Sequence, residues 1–154
     1  MLLADPEDGP ESARLRELAK SMGANNVTFR GFLSGADRLE AYANARFMVV
    51  PSVWYEPFGL IVLEAYASGK PVIASQIGGL AELIEDGQTG LHASVGDAPG
   101  LAERMAALWD NPVIAAEMGA NARRLVETEY TPELHYKRLM EAYEKAKKIA
   151  AKGG

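Results

Sequence analysis

Short, wholly apolar runs alternate along this chain with longer stretches in which apolar residues recur every three or four positions, the pattern of buried strands separated by helices. Met1-Leu-Leu-Ala4 reads as a strand whose beginning is cut short, and Asp5 to Pro10 as a polar turn. A helix follows with Leu15, Leu18 and Met22 on one face, and Gly23 stops it. Val27-Thr-Phe-Arg30 is the next strand, ending at Gly31-Phe32. A helix from about Ser34 to Ala45 should turn Leu39 and Tyr42 inward. Phe47-Met-Val-Val50 suits a strand buried on both faces, which Pro51 ends by removing a backbone donor.

Leu60, Ile61, Val62, Leu63, Ala65, Tyr66 and Ala67 predict a helix apolar nearly all round and therefore buried, with Gly69 just past its end and Pro71 barring continuation. Pro71 to Ser75 is the next strand, Gly78-Gly79 a flexible turn, Leu80 to Glu85 a short helix, Asp86-Gly87 a turn, and Gly90 to Ala93 a strand. Three helices remain: one capped by Asp97 and reaching Trp109, one opened by Asn111-Pro112, and one opened by Thr131-Pro132 and reaching about Ala150. Such alternation predicts an α/β fold with a parallel sheet. The loops after Arg30, Val50 and Ser75 would then share the carboxyl edge, where open α/β sheets bind ligands.

At 154 residues the chain reads as a single domain, with the alternating part and the site in 1–95, helices in 96–150 and a tail at 151–154. The longest uncharged run, Pro71 to Ala81, falls far short of the roughly 20 residues that span a membrane. Net charge is −5, yet from His135 onward there are six Lys or Arg against two Glu, so the acidic excess lies wholly upstream. Nucleic acid is not an expected partner. A cytoplasmic location is expected, and the basic tail leaves peripheral contact with the inner membrane face open beside the plainer reading of a solvated helix face. Without cysteine there are no disulfides, thiolate metal sites or cysteine nucleophiles.

The chemistry concentrates where the central strand meets the apolar helix. Gly59 permits close approach of a guest to unpaired backbone amides at the helix start, where the aligned peptide dipoles favour an anion such as phosphate. Glu56 lies just upstream. Glu64 is the only charge between Gly59 and Gly69 and needs a hydrogen-bond partner if buried. It stands about 8 Å along the axis from Gly59, so the two carboxylates can reach groups on opposite sides of a phosphate bound between them. Taken alone, Glu56 would merely complement the dipole and Glu64 merely reach solvent at the helix edge.

Glu56-Pro-Phe-Gly-Leu-Ile-Val-Leu-Glu64 resembles the E-x7-E signature of the C-terminal domain of retaining GT-B glycosyltransferases, in particular glycosyltransferase family 4 and its glycogen and starch synthase relatives. Ala65-Tyr-Ala-Ser-Gly-Lys-Pro-Val-Ile-Ala74, Gly78-Gly79-Leu-Ala-Glu82, Glu85-Asp-Gly-Gln-Thr-Gly-Leu91 and Gly96-Asp97 follow in the same order. The resemblance implies a Rossmann-like parallel sheet flanked by helices, the C-terminal half of a GT-B fold, missing its first βα unit. It implies that Glu56 contacts the donor sugar as the catalytic-site carboxylate and that Glu64 holds the ribose. The amides of Phe58, Gly59 and Leu60, with Pro57 beside them, would bind the donor phosphates, with Gly78 and Gly79 near the donor and Gly31 and Phe32 beside the nucleobase.

Neither a G-x-G-x-x-G after the first strand nor a G-x-x-x-x-G-K-[ST] is present, which argues against a dinucleotide oxidoreductase and a P-loop NTPase. There is no D-x-D, so neither metal nor cofactor is implied. The expected ligand is a nucleotide-diphosphate sugar. In the resembling enzymes an Arg and a Lys from the strand and helix preceding the equivalent of Met1, together with an N-terminal acceptor domain, complete the site. The isolated chain is therefore expected not to catalyse alone. A non-catalytic nucleotide-binding or interaction module, and part of a GT-B nucleotide-sugar epimerase, are the competing readings.

Overall fold

The computed structural model describes residues 2–3 and 9–151. Its elements run β1 (Leu2–Leu3), α1 (Pro10–Ser21), β2 (Thr28–Phe29), α2 (Gly35–Asn44), β3 (Met48–Val50), α3 (Leu60–Ala67), β4 (Val72–Ser75), α4 (Gly78–Leu83), β5 (Gly90–Ala93), α5 (Ala98–Asp110), α6 (Pro112–Glu129) and α7 (Pro132–Ala150). Met1, Ala4 and most of the expected turn from Asp5 to Pro10 lie outside the described residues. The chain forms two compact units, Met1–Ala41 and Tyr42–Gly154.

In the first unit β1 and β2 pair in parallel, Leu2 with Thr28 and Leu3 with Phe29. The Arg16 guanidinium sits 4.6 Å from the centre of the Phe29 ring, a cation–π contact. The expected apolar face of α1 is covered only in part: Leu15 is half-buried, but Leu18 and Met22 are exposed. Leu39, expected to point inward, is 63% exposed.

In the second unit β3, β4 and β5 form a parallel sheet in that order, with Met48 opposite Val72 and Val72 opposite Gly90. Side chains alternate between its faces. Val50, Val72 and Ala74 join Val62, Ala65, Tyr66, Leu80 and Leu83 in one core, while Ile73 joins Leu91, Leu108, Ala115 and Met118 in another. All four residues of β4 are buried, the apolar Val72, Ile73 and Ala74 together with the polar Ser75. α6 packs on α3 so tightly that a Cβ at Gly119 would fall 2.2 Å from the Gly69 carbonyl.

The helix ends follow local chemistry. The Asp97 carboxylate accepts from Gly100 N and the Thr131 hydroxyl from Leu134 N, whereas the Asn111 side chain makes no cap to α6 and donates back to the Ala107 carbonyl. α3 closes through Gly69 at φ +67, with Lys70 N donating to the Ala65 carbonyl and Gly69 N to that of Tyr66, a Schellman arrangement.

Two expectations need correction. α3 is not buried all round: Val62, Ala65 and Tyr66 are, but Leu60 is 70% and Ile61 40% exposed, because sheet and α6 do not cover its first turn. Gly78 and Gly79 are not a turn before a helix but the first residues of α4, which stops at Leu83 because Ile84 turns extended and enters the core. Among the described residues no helix is long and apolar enough to cross a membrane.

The segment from Glu85 to Leu91 is held by a buried clamp. Tyr66 and Thr89 share a hydroxyl hydrogen bond of 2.7 Å, and Thr89 Oγ1 also accepts from Glu85 N at 3.0 Å. Asp86 accepts from His92 N, and a Cβ on Gly90 would overlap the Val72 carbonyl. Burial pushes the Tyr66 phenol up to about 12.

Candidate functional site

The candidate site is the loop from Pro51 to Gly59 together with the helix start it feeds. Gly59 is the residue before α3, held at φ +93, a backbone shape that side chains resist. A Cβ there would also lie 2.9 Å from Leu80 Cδ2. No side chain caps α3 at its N-terminus, and its first helical bond runs from Val62 N to the Gly59 carbonyl. The preceding amides at the start of α3 therefore have no intrahelical partner and lie at the positive end of the helix dipole.

Glu56 is half-buried in this loop, and its Oε1 accepts from the indole Nε1 of Trp54 at 2.8 Å. Its backbone is fixed from the other side by α4: Gly79 N donates to the Glu56 carbonyl at 2.8 Å. A Cβ on Gly78 would come within 2.7 Å of that oxygen, and one on Gly79 within 2.7 Å of Phe58 Cα. The two glycines thus let α4 press directly on the Glu56–Phe58 backbone. Pro57 and Leu60 are exposed, while Phe58 stacks edge-on against Tyr130 at 6.3 Å between ring centres.

Glu64 is half-buried on α3, and its Oε2 accepts from the Tyr42 hydroxyl at 3.0 Å. This contact answers the need that a carboxylate on a largely buried helix creates. Pro57, Phe58, Gly59, Leu60, Gly78 and Gly79 are thereby gathered around Glu56 and the start of α3, with Glu64 further along the helix. Gly31 and Phe32 belong to the other unit, where Gly31 at φ +64 turns the chain after β2 and Phe32 is 72% exposed.

Sequence reasoning missed Trp54 and the hydroxyl of Tyr42. An indole two residues before a carboxylate is a readable signal, since a Trp N–H seeks an acceptor. Tyr42 was read only as an inward ring. Lys70 and Arg46 point to backbone carbonyls, those of Ala43 and Trp109. Among the described residues no group of three His, Asp or Glu stands close enough to hold a metal ion. The arrangement can receive an anion at the helix start and accept hydroxyl hydrogen bonds on both sides of it.

The chain is similar to known proteins in both sequence and fold. Residues 1–125 match the family model described as glycosyl transferases group 1. The chain is 38% identical over 102 residues to glycogen synthase of Mycobacterium tuberculosis, covering 66% of this chain and 24% of that protein. It is 32% identical over 127 residues to N-acetyl-alpha-D-glucosaminyl L-malate synthase of Bacillus anthracis, covering 82% and 32%. It thus spans about a quarter to a third of the length of these relatives.

Among solved structures, sucrose-phosphate synthase from Thermosynechococcus elongatus superposes with a TM-score of 0.79 at 35% identity, over 97% of this chain and 38% of that one. Anabaena HepE in complex with UDP-glucose gives 0.81 at 26% identity, over 94% and 40%. The fold is that of the C-terminal domain of GT-B glycosyltransferases. With most of its length matched by the family model, this chain belongs to the glycosyl transferases group 1 family.

Proposed function

We propose that this chain is the donor-binding part of a retaining glycosyltransferase that uses a nucleoside diphosphate sugar. The observation that carries the reading is the placement of two half-buried carboxylates, each held by an aromatic donor, on either side of the uncapped start of α3. The diphosphate sits on the amides about Gly59. Glu64 accepts from the ribose hydroxyls, and Glu56 accepts from hydroxyls of the sugar. The complex of HepE with UDP-glucose and the names of the synthase relatives support this choice of ligand.

Catalysis in the whole enzyme would come from positioning the donor and stabilising the departing diphosphate. Here Phe58, Leu60 and Ile61 are exposed beside the helix start, so a bound diphosphate faces water, where electrostatic stabilisation is weak. The 154-residue chain alone therefore binds donor without transferring sugar. The test is calorimetric titration with nucleoside diphosphates and their sugars. Binding that rises when the sugar is attached supports the reading, and absence of binding by every nucleotide tried overturns it. Turnover by the isolated chain would overturn the claim that it lacks catalysis.

A further inference from the structure

We infer that Tyr42 is a positioning residue of this site: its phenol sets the Glu64 carboxylate in the orientation that accepts both ribose hydroxyls of a nucleoside diphosphate. The inference rests on the donor reading above and adds a residue that lies outside the E-x7-E segment, on a different helix. Tyr42 sits in the last turn of α2, and its half-buried ring packs against the core that contains Val50, Val62 and Ala65. Packing fixes the ring, and with it the hydroxyl, before any ligand arrives.

The hydroxyl lies 3.0 Å from Glu64 Oε2. The last torsion of a glutamate is broad and roughly twofold, so the carboxylate plane has no strong preference of its own. A vicinal diol presents two donors at a fixed spacing and is sensitive to that plane in a way that one hydroxyl is not. A phenol orients the carboxylate without cancelling its charge. An ionised carboxylate has about four lone-pair positions, and the Tyr42 hydroxyl takes one of those on Oε2.

The test is calorimetry on the full 154-residue chain with uridine diphosphate and adenosine diphosphate, each against its 2′,3′-dideoxy form. The unaltered chain should prefer the ribose form of the better nucleotide by roughly tenfold or more, as loss of charge-assisted bonds implies. Tyr42→Phe should reduce that preference by about threefold to tenfold while leaving the dideoxy form unaffected. Tyr42→Met, a second variant without the hydroxyl, should do the same, and in a Glu64→Gln background Tyr42→Phe should change nothing further. A preference left intact by Tyr42→Phe, equal weakening of both forms, or the same loss in the Glu64→Gln background would each overturn the role of Tyr42. Failure of the underlying reading looks different: the unaltered chain itself would show no ribose preference, or no nucleotide binding, and the role of Tyr42 would fall with it.

Discussion

Gly79 donates its backbone N–H to the carbonyl of Glu56 at 2.8 Å, joining the start of α4 to the loop that carries the candidate sugar-binding carboxylate. Its neighbour Gly78 has a left-handed backbone at φ +53 and leaves no room for a side chain beside the same carbonyl. Gly78→Ala should therefore destabilise the chain by roughly 1–3 kcal/mol and displace Glu56. A lowered urea midpoint together with weakened nucleotide-sugar binding is the expected pair of results. An alanine variant with both unchanged would show that the loop does not depend on this close approach.

The two carboxylates should separate when ligands of different length are compared. Glu64→Gln should lower affinity for a nucleoside diphosphate roughly tenfold to a hundredfold, the equivalent of about 1.5–3 kcal/mol, and affect a deoxyribose analogue less. Glu56→Gln should scarcely alter the bare nucleoside diphosphate but weaken the intact nucleotide sugar. Equal losses for both ligands in Glu56→Gln would make that residue a general support of the loop.

Thr89 is the hub of the buried clamp, contacting both Tyr66 and the Glu85 amide. Thr89→Val keeps the volume but removes the hydroxyl, leaving the Glu85 N–H and the Tyr66 phenol without that partner. A loss of about 1–3 kcal/mol in unfolding free energy is expected, because unmade buried hydrogen bonds carry the full desolvation cost. Chemical denaturation measures it, and a neutral result would show that water enters and replaces the hydroxyl.

Alkaline pH probes the same clamp. Burial raises the Tyr66 phenol from its ordinary 10 to about 12 in the folded chain, so the unfolded state loses this proton first. Its contribution is fully present below pH 10 and is lost progressively as pH rises through 12, up to about 2–3 kcal/mol. Tyr130 is also raised by burial and contributes with the same sign. The decisive comparison is with Tyr66→Phe, which should show a shallower fall in stability between pH 10 and 12. Identical slopes would mean that the phenol titrates normally.

How far the chain could be read from its letters depended on the range of each interaction. The Asp97 and Thr131 side chains cap amides three residues on, and Gly69 closes α3 through its own backbone, so these three helix ends were readable from local residue types. Glu56, Gly59 and Glu64 lie within one continuous stretch, so a resemblance to the E-x7-E signature is visible in the letters, whereas each carboxylate taken alone reads as an ordinary helix-end or solvent-facing charge. Tyr42 meets Glu64 across 22 residues, and nothing local marks the ring as a donor to that acid. Gly78 and Gly79 looked like a turn because the backbone pressed against them belongs to a different loop. The exposure of Leu39 and Leu60 escaped notice because an apolar side chain reveals that it can be buried, and not whether a neighbouring surface is there to cover it.

Trp54 gives the site an optical property. The chain has only two tryptophans, and the other, Trp109, lies beneath the Arg46 guanidinium at 4.3 Å. Trp54 is solvent-exposed, and its indole N–H ends on Glu56. Indole emission responds both to the partner of that N–H and to the water around the ring. Anything that draws Glu56 away or settles over Trp54 thus changes the protein's own fluorescence, and replacing Trp109 with Phe would leave a chain with a single chromophore reporting from beside that carboxylate.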